Sequence, residues 1–305
     1  MSDGGYPDEQ NEHEFGGPWT EEKLGVLRNY LKNYTLALKN QPFQKIYIDA
    51  FAGSGQRIDA GRRSLAEQAN EYLFDNLRDE DAQTLFNGSA ANALEIDPPF
   101  DGYIFIEKDP ERCRKLEYLK QQFPLLESRI YVRNCEANSE IQRLCQKIKW
   151  HQTRAVLFLD PYGLQVDWDT IKAIAGTQSI DLWLLFPLSG LNRQLRKDGK
   201  IDEATRKRID RLLGAEDWYE HIYEVSKQAD LFSSQPTHRK VANVEGIGHF
   251  VLQRLQEIFP AVSSTLGILC NRQKSPLFLF CFAAANEKGG PIAKRIANHL
   301  LKGLG

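Results

Sequence analysis

The residues at 46–55, IYIDAFAGSG, have the pattern of a buried strand that ends at a ligand. Apolar and aromatic residues lead into Asp49, and small residues with two glycines follow it. Glycine reaches backbone angles closed to other residues and lets the chain approach a ligand closely. The run therefore predicts a cofactor-binding turn, although a tight turn without a ligand is the alternative. Its candidate cofactor-binding residues are Asp49, Phe51, Ala52, Gly53, Ser54 and Gly55.

A second motif, FLDPYG at 158–163, has the residue types needed to methylate an exocyclic amine. Proline fixes the backbone after the acid, so that the Asp160 carboxylate and the Pro161 carbonyl can both accept hydrogen bonds from a planar amino group. The adjacent Tyr162 is suited to stack on a flat ring. We therefore predict catalytic roles for Asp160, Pro161 and Tyr162, with Asp160 also bordering the cofactor. The alternative is a turn after a core strand.

Acidic residues also follow the second and third predicted strands. In open parallel sheets, ligands bind at the carboxyl ends of the strands, and an acid after the second strand accepts hydrogen bonds from ribose hydroxyls. Glu107 occupies that position, whereas Glu136 and Ala137 lie where an adenine edge would be expected. Glu136 alone is as easily explained as the cap of a following helix. Together, these strand ends predict a cofactor that contains adenosine.

The spacing of the glycines favours one adenosine cofactor over the others. The dinucleotide fingerprint needs a third small residue, but the bulky Ile58 stands at that position after Gly53 and Gly55. S-adenosylmethionine carries no pyrophosphate and needs fewer approaching amides. It is therefore the predicted cofactor, ahead of a nicotinamide or flavin dinucleotide.

An alternation of strands and helices must position these residues. Predicted strands cover 45–50, 102–107, 129–133, 155–160 and 179–186, and predicted helices cover 89–94, 110–123, 138–149 and 168–176. Continuous apolar strands such as AVLFLD indicate a parallel sheet covered on both faces. Two further strands at 265–270 and 276–283, joined by NRQKS, predict an antiparallel pair. We expect a doubly wound α/β fold, Rossmann-like, with a mostly parallel seven-stranded sheet and a closing helix at 291–301.

The regions outside this alternation have distinct predictions. Residues 1–18 have the composition of a disordered tail. A helix is predicted from Thr20, with Thr20 as its N-cap and apolar residues at Leu24, Leu27 and Leu31. A single domain is expected over 19–305. Insertions are expected at about 56–88, with a helix near 64–77 that covers the ligand edge, and at 188–262, with a helix at 243–258.

Composition limits the possible classes of protein. The 305 residues carry a net charge of −2, so nucleic acid would need a local basic patch. Neither a membrane span nor a signal peptide is predicted, and a cytoplasmic location is the default expectation. The cysteines never form C-x-x-C and the histidines are scattered, so we predict no metal.

One segment beyond the fifth strand is rich in basic residues. It contains Arg193, Arg196, Lys197, Lys200, Arg206, Lys207, Arg208 and Arg211. Because it follows the strand beside FLDPYG, it could line the substrate entrance and meet phosphates, with Asn192 and Arg193 as substrate-binding candidates. A solvated helix face paired with Asp202, Glu203 and Asp210 is equally consistent.

The chain resembles a known family through these motifs. IYIDAFAGSG resembles the first motif of class I S-adenosylmethionine methyltransferases. FLDPYG is similar to the D-P-P-Y motif of amino-group methyltransferases and to the D-P-F-G form in tRNA guanine-N2 methyltransferases. The second proline of D-P-P-Y is missing here, and Gly163 stands where the aromatic residue is usual. Over nearly the whole chain, YIDAFAGSG, GSA at 88–90, FIEKD, EAN, FLDPYG and DLWLLFP resemble the three-Cys-motif partner protein (TcmP) family.

The resemblance implies a methyltransferase-like domain and a radical-SAM-like partner protein with a cysteine motif. It implies a class of cofactor more than a substrate. Three hypotheses stay open. The first is an N-methyltransferase acting on an exocyclic amine of a nucleobase or nucleic acid. The second is a cofactor-binding partner protein without catalysis of its own, and the third is another nucleotide-dependent enzyme such as a dehydrogenase.

Overall fold

The structure is a computed structural model that describes residues 18–53, 88–225 and 238–304. Most of the predicted tail, the predicted insertion with its helix near 64–77, and the predicted cofactor residues Ser54 and Gly55 lie outside the described residues.

The described elements alternate along the chain. The helices are α1 (Pro18–Ala37), α2 (Ser89–Leu94), α3 (Pro110–Gln122), α4 (Ala137–Lys147), α5 (Trp168–Gly176), α6 (Leu188–Gln194), α7 (Glu203–Leu213), α8 (Trp218–Ile222), α9 (Val244–Gln256) and α10 (Gly290–Leu301). The strands are β1 (Gln44–Ala50), β2 (Gly102–Glu107), β3 (Ile130–Asn134), β4 (Thr153–Leu159), β5 (Ile180–Phe186), β6 (Tyr223–Val225), β7 (His238–Lys240), β8 (Ala261–Val262), β9 (Gly267–Cys270) and β10 (Pro276–Ala284).

The main sheet has the order β3-β2-β1-β4-β5-β10-β8, with β9 also paired to β10. The strands β1 to β5 pair in parallel, and β10 runs antiparallel to β5, β8 and β9. The strand order reverses at β1 and β4, which is the switch point where ligands bind in doubly wound sheets. The predicted α/β fold and its C-terminal antiparallel strands are confirmed.

The number of strands differs from the prediction, because the sheet has eight strands and not seven. The outer edge of β10 is covered by one length of chain that pairs first at Ala261 and again from Gly267. Between them, the Ser263 N–H still donates to the Phe282 carbonyl at 2.9 Å, whereas the N–H groups of Ser264 and Thr265 reach Asn298 Oδ1. The strand predicted at 265–270 is therefore β9, and the two-residue β8 before it is the additional strand.

The two faces of the sheet carry different helices. On one face, Tyr47, Phe158 and Trp183 pack in a core with α1, α2, α3 and α10. On the other face, Ile48 and Leu157 pack with α4 to α9. Because side chains alternate along a strand, every second residue of β1 and β4 points toward α1. That alternation decides which strand-end residues lie near α1.

Helix α1 begins earlier than predicted. Its first residue is Pro18, where a missing N–H and a fixed φ angle suit the first helical turn. The prediction that Thr20 is the N-cap is wrong, because Thr20 lies inside the helix with its side chain buried. Trp19, Lys23 and Leu27 are four residues apart and lie on the face of α1 that packs against the sheet.

The segment after Pro187 is less helical than its sequence pattern indicates. Helices α6, α7 and α8 are followed by a separate two-stranded sheet in which β6 and β7 run antiparallel. These three-residue strands, YEV and HRK, are too short and too charged to show a strand period.

Candidate functional site

The turn after β1 has backbone angles that few residues adopt. Phe51 has φ of 67° and Gly53 has φ of 63°, and the Ala52 N–H donates to the Ile106 carbonyl at 3.0 Å. A positive φ in a bulky residue is strained and is found most often at functional sites. The turn therefore crosses from the end of β1 to the end of β2, as the predicted cofactor loop must.

Glu107 connects this turn to the end of β2. Its Oε2 accepts from the Gly53 N–H and its Oε1 accepts from the Asp109 N–H, each at 2.9 Å. Burial raises the pKa of Glu107, and these two hydrogen bonds offset part of that rise. Each carboxylate oxygen has a second lone pair, so Glu107 retains the capacity to accept from ribose hydroxyls.

Asp49 and Asp160 lie on the same face of neighbouring strands. Asp49 pairs in register with Phe158, so Asp160, two residues further along β4, points to the same side toward α1. Asp49 is 0% exposed and Asp160 is 3% exposed. Two carboxylates are thus buried together at the carboxyl end of the sheet.

A lysine from α1 completes this cluster. Lys23 is 0% exposed, and its Nζ lies 2.7 Å from Asp160 Oδ2 and 5.2 Å from the centre of the Phe158 ring. We call Asp49, Asp160 and Lys23 the α1 polar cluster. If all three groups are ionised, it holds two negative charges against one positive charge in a water-poor environment, which is costly without further partners.

The hydrogen-bonding capacity of the α1 polar cluster is not filled. Asp49 Oδ2 accepts from the Tyr47 hydroxyl at 3.1 Å, but the Oδ1 atoms of Asp49 and Asp160 have no partner among the described residues. Lys23 Nζ donates to Asp160 alone within the same part of the chain. Buried polar groups in native proteins are nearly always hydrogen-bonded, so these atoms indicate a place where a polar ligand or water completes the set.

Burial dominates the ionisation of all three groups. It lowers the pKa of Lys23 against the attraction of Asp160, and it raises the pKa of Asp160 against the attraction of Lys23. It also raises the pKa of Asp49 to about 7, opposed by the nearby Ser89 and Tyr47 hydroxyl groups. A carboxylate with a raised pKa is a stronger base than one in water.

The raised pKa of Asp49 makes a prediction about stability. Folded Asp49 keeps its proton up to about pH 7, whereas the unfolded chain loses it near the ordinary value of 3.8. Asp49 therefore contributes fully to stability below its ordinary pKa of 3.8, and this contribution is lost as the pH rises to about 7. The free energy of unfolding should fall by no more than about 1.4 kcal/mol per pH unit. In Asp49→Asn, this part of the decline in the free energy of unfolding should disappear.

Urea denaturation across that pH range measures the effect. Burial also raises the pKa of Asp181 to about 7. Asp181 therefore supplies a matched carboxyl group at the opposite end of the sheet. Asp181→Asn should remove a similar slope, and the two effects should add. An unchanged slope in Asp49→Asn would contradict the assigned pKa.

The loop after β4 is held by a residue from another strand end. Gly163 has φ of 76°, which a glycine adopts without strain. Asn138 Nδ2 donates to the Gln165 carbonyl, and its Oδ1 accepts from the Asp167 N–H and the Thr170 hydroxyl, each at 2.9 Å. The asparagine of the EAN motif thus fixes the FLDPYG loop. Pro161 is buried and Tyr162 half-buried in this loop.

Glu136 and Ala137 occupy the start of α4. Glu136 caps that helix, because its carboxylate accepts from the backbone N–H groups of Asn138 and Ser139. Partial burial opposes ionisation of Glu136, but these hydrogen bonds lower its pKa overall. Ala137 is 5% exposed and packs in the core. The capping interpretation therefore accounts for Glu136, and cofactor contacts from these two residues stay a prediction.

Three of the eight basic side chains of the segment at 193–211 form ion pairs among the described residues. Arg196 pairs with Asp198 at 3.1 Å, Lys207 with Glu203 at 2.6 Å and Arg211 with Asp167 at 3.9 Å. Asn192, on α6, accepts a hydrogen bond from Lys240, and Arg193 is half-buried beside it. These contacts favour the solvated-face interpretation for α7. Substrate binding by Asn192 and Arg193 stays a prediction.

Lys23 is the site residue that sequence reasoning missed. Its signal was present, since Trp19, Lys23, Leu27 and Leu31 recur every four residues, and only the lysine breaks the apolar stripe. Asp160 is 137 residues away in the sequence, so nothing local identified its partner. Within the described residues, no helix has the length and apolar character needed to cross a membrane.

Comparisons with known proteins give only distant structural likenesses. No family model and no curated protein matches the chain. A Legionella pneumophila protein of family model DUF519 aligns with a TM-score of 0.47 at 13% identity, covering 95% of this chain and 93% of that one. An S-adenosylmethionine-dependent methyltransferase from Clostridium acetobutylicum aligns with a TM-score of 0.38 at 10% identity, covering 85% and 91%.

The plantazolicin methyltransferase BpumL, crystallised with SAH, aligns with a TM-score of 0.30 at 13% identity, covering 88% of this chain and 86% of that one. Each of these TM-scores is below 0.5. The functional interpretation therefore depends on the strand order and on the α1 polar cluster.

Proposed function

We propose that the chain is an S-adenosylmethionine-dependent N-methyltransferase that acts on an exocyclic amine of a nucleobase or nucleic acid. The observation that carries this proposal is the Asp160 carboxylate. It is buried at the switch point of the sheet, one of its oxygens is paired with Lys23, and the other lacks a partner among the described residues. An amino group with two N–H donors is a ligand that such an oxygen would bind.

The residues at the ends of β1 and β2 fit the cofactor. The turn at Phe51–Gly53 brings backbone close to the switch point, and Glu107 has lone pairs left for ribose hydroxyls. Asp49 Oδ1, buried without a partner in the described part of the chain, supplies a further acceptor at the end of β1. S-adenosylmethionine, when bound, supplies an electrophilic methyl group on a sulfonium sulfur.

The roles of the remaining residues follow from the chemistry. Asp160 Oδ1 and the Pro161 carbonyl would accept the two N–H groups of the amine, and Tyr162 would stack on the base. A bound S-adenosylmethionine would supply the methyl carbon for the amine nitrogen, and the electron pair of the broken carbon–sulfur bond would stay on its sulfur. The nitrogen then gives up one proton, for which Asp160 is a suitable acceptor because burial raises its pKa.

A second candidate function has one observation in its favour. Asp160 is only 3% exposed, and Lys23 of α1 already occupies Oδ2. A covered carboxylate is consistent with a protein that binds the cofactor without catalysis and assists a separate cysteine-motif, radical-SAM-like enzyme. A dehydrogenase has less support, since Ile58 stands in place of the third small residue of the dinucleotide fingerprint.

Methyl transfer by the purified chain distinguishes these functions. The chain is incubated with methyl-labelled S-adenosylmethionine and mixed RNA and DNA, and the nucleic acids are digested to nucleosides. The proposal expects label on a nucleoside methylated at its exocyclic nitrogen. Cofactor binding without any label transfer would contradict the proposal and favour the partner protein.

A further inference from the structure

The outer face of α10 carries a row of basic side chains. Lys294, Arg295, His299 and Lys302 lie on one side of the helix, where the spacings of four residues from Arg295 to His299 and three from His299 to Lys302 make these side chains neighbours. Lys294 and Lys302 are eight residues apart, or about 12 Å along the helix axis. With Pro291 and Asn298, these side chains line a shallow trough, which we call the α10 trough.

The charges of the α10 trough are not neutralised within the described chain. Lys294, Arg295 and Lys302 have no ion pair among the described residues, and no acidic residue follows Glu287 in the sequence. Asn298 Oδ1 is held by the Ser263 hydroxyl at 2.6 Å, which leaves its Nδ2 donor for another partner. The trough therefore offers only donors and positive charge, unlike the paired cations near α7.

The chemistry of the α10 trough favours the phosphate backbone of a nucleic acid over a membrane surface as its binding partner. A helix that lies on a bilayer exposes a broad apolar face. The apolar side of α10 is instead buried, with Ala297 and Leu301 at 0% exposure, and Ile292 is its only large apolar side chain classed as exposed. Spaced cations with amide and imidazole donors match the oxygens of successive phosphate groups.

The position of α10 would allow a nucleic-acid strand bound to the trough to extend to the candidate site. Helix α10 begins beside Ala261 and Ala284 and ends where Leu301 packs near Gly267, which pairs with Phe280. Phe280 pairs in turn with Leu185, near the carboxyl end of β5. The C-terminal end of α10 thus lies over the same end of the sheet as Asp160, above β9, which is three strand spacings or about 15 Å from β4.

We propose that the α10 trough binds the phosphate backbone of the nucleic acid on which the candidate site acts. The role of that nucleic acid as substrate rests on the proposed function, whereas its binding to α10 does not. Arg196, Lys207 and Arg211 of the segment at 193–211, which the sequence suggested, would then contribute less to binding because each is paired with an acid.

Salt-dependent binding of a labelled single-stranded RNA oligonucleotide of mixed sequence tests this proposal. The variant Lys294→Gln/Arg295→Gln/Lys302→Gln removes three unpaired cations, and Arg196→Gln/Lys207→Gln/Arg211→Gln removes three paired ones with the same change in net charge. Each phosphate contact on a single strand contributes about 0.7 to the slope of log affinity against log salt. The α10 variant should therefore lose about 2 from that slope, and the matched variant should change it little.

Three results would overturn the inference. They are no RNA binding by the wild-type chain, an equal or larger loss in the matched variant, and binding to phosphatidylserine vesicles that depends on the α10 cations while RNA binding does not. Titration of the α10 variant with S-adenosylmethionine separates a failure of this inference from a failure of the proposed function. A variant that binds the cofactor as the wild type does, but binds RNA more weakly, has lost only its nucleic-acid-binding surface. Circular dichroism verifies that both variants are folded.

Discussion

Replacing Asp160 with asparagine is expected to lower methyl transfer by about 10²- to 10⁴-fold, the usual contribution of a positioned acid–base group. Asparagine keeps the shape of the side chain but cannot take the proton that the amine nitrogen releases. Cofactor binding should persist, because the turn after β1 and Glu107 are unchanged. Single-turnover transfer of labelled methyl groups measures the first effect, and titration with S-adenosylmethionine measures the second.

Asp181→Asn is the matched control for this variant. Asp181 is also a buried aspartate that points toward α1, and it accepts a hydrogen bond from the Tyr30 hydroxyl at 2.5 Å. It lies near the start of β5, at the opposite end of the sheet from the candidate site. Methyl transfer should survive this change. Wild-type transfer by Asp160→Asn, or equal losses in both variants, would contradict a catalytic role for Asp160.

Replacing Lys23 with methionine is expected to lower the free energy of unfolding by about 3–5 kcal/mol above neutral pH, since it leaves the partner charge buried and unpaired. The penalty should decrease in acid, because the pKa of Asp160 is already raised by burial and a protonated carboxyl needs no counter-ion. Urea denaturation of the variant and the wild type at several pH values measures both effects.

Two further variants test whether the burial of the ion pair causes the loss of stability in Lys23→Met. Lys23→Met/Asp160→Leu removes both charges and should recover much of the lost stability, as replacement of a buried ion pair by apolar residues often does. Arg28 lies on α1, as Lys23 does, and Arg28→Met breaks an exposed pair with Glu95 at the end of α2, which should cost about 1 kcal/mol or less. A cost for Lys23→Met as small as that of Arg28→Met would contradict the account of the α1 polar cluster.

The sequence alone was sufficient to predict most of the main sheet. Continuous apolar runs such as AVLF and IDLWLLF are typical of strands covered on both faces, and their ends are marked by Glu107 or by the FLDPYG turn. Predicted and observed bounds of these elements agree within two residues. The turn at Phe51–Gly53 was also expected from its glycine, although the positive φ of Phe51 was not.

Contacts between distant segments could not be predicted in the same way. The pairing of Lys23 with Asp160 depends on how α1 packs across the sheet, which no local spacing encodes. Asn138 follows the two residues expected near an adenine edge, and the fold uses both ends of its amide to hold the loop after β4. The break between β8 and β9 involves hydrogen bonds to Asn298, more than thirty residues later in the chain.

Calorimetric titration of the purified chain with S-adenosylmethionine and, separately, with NAD⁺ tests the central claim most directly. The account predicts saturable binding of S-adenosylmethionine and none of NAD⁺. It also predicts that Glu107→Gln weakens the binding by about 10- to 100-fold, because a hydrogen bond to a charged group is worth about 1.5–3 kcal/mol. Saturable binding of NAD⁺, or no binding of S-adenosylmethionine by the folded chain, would contradict the assignment of a methyl-donor site.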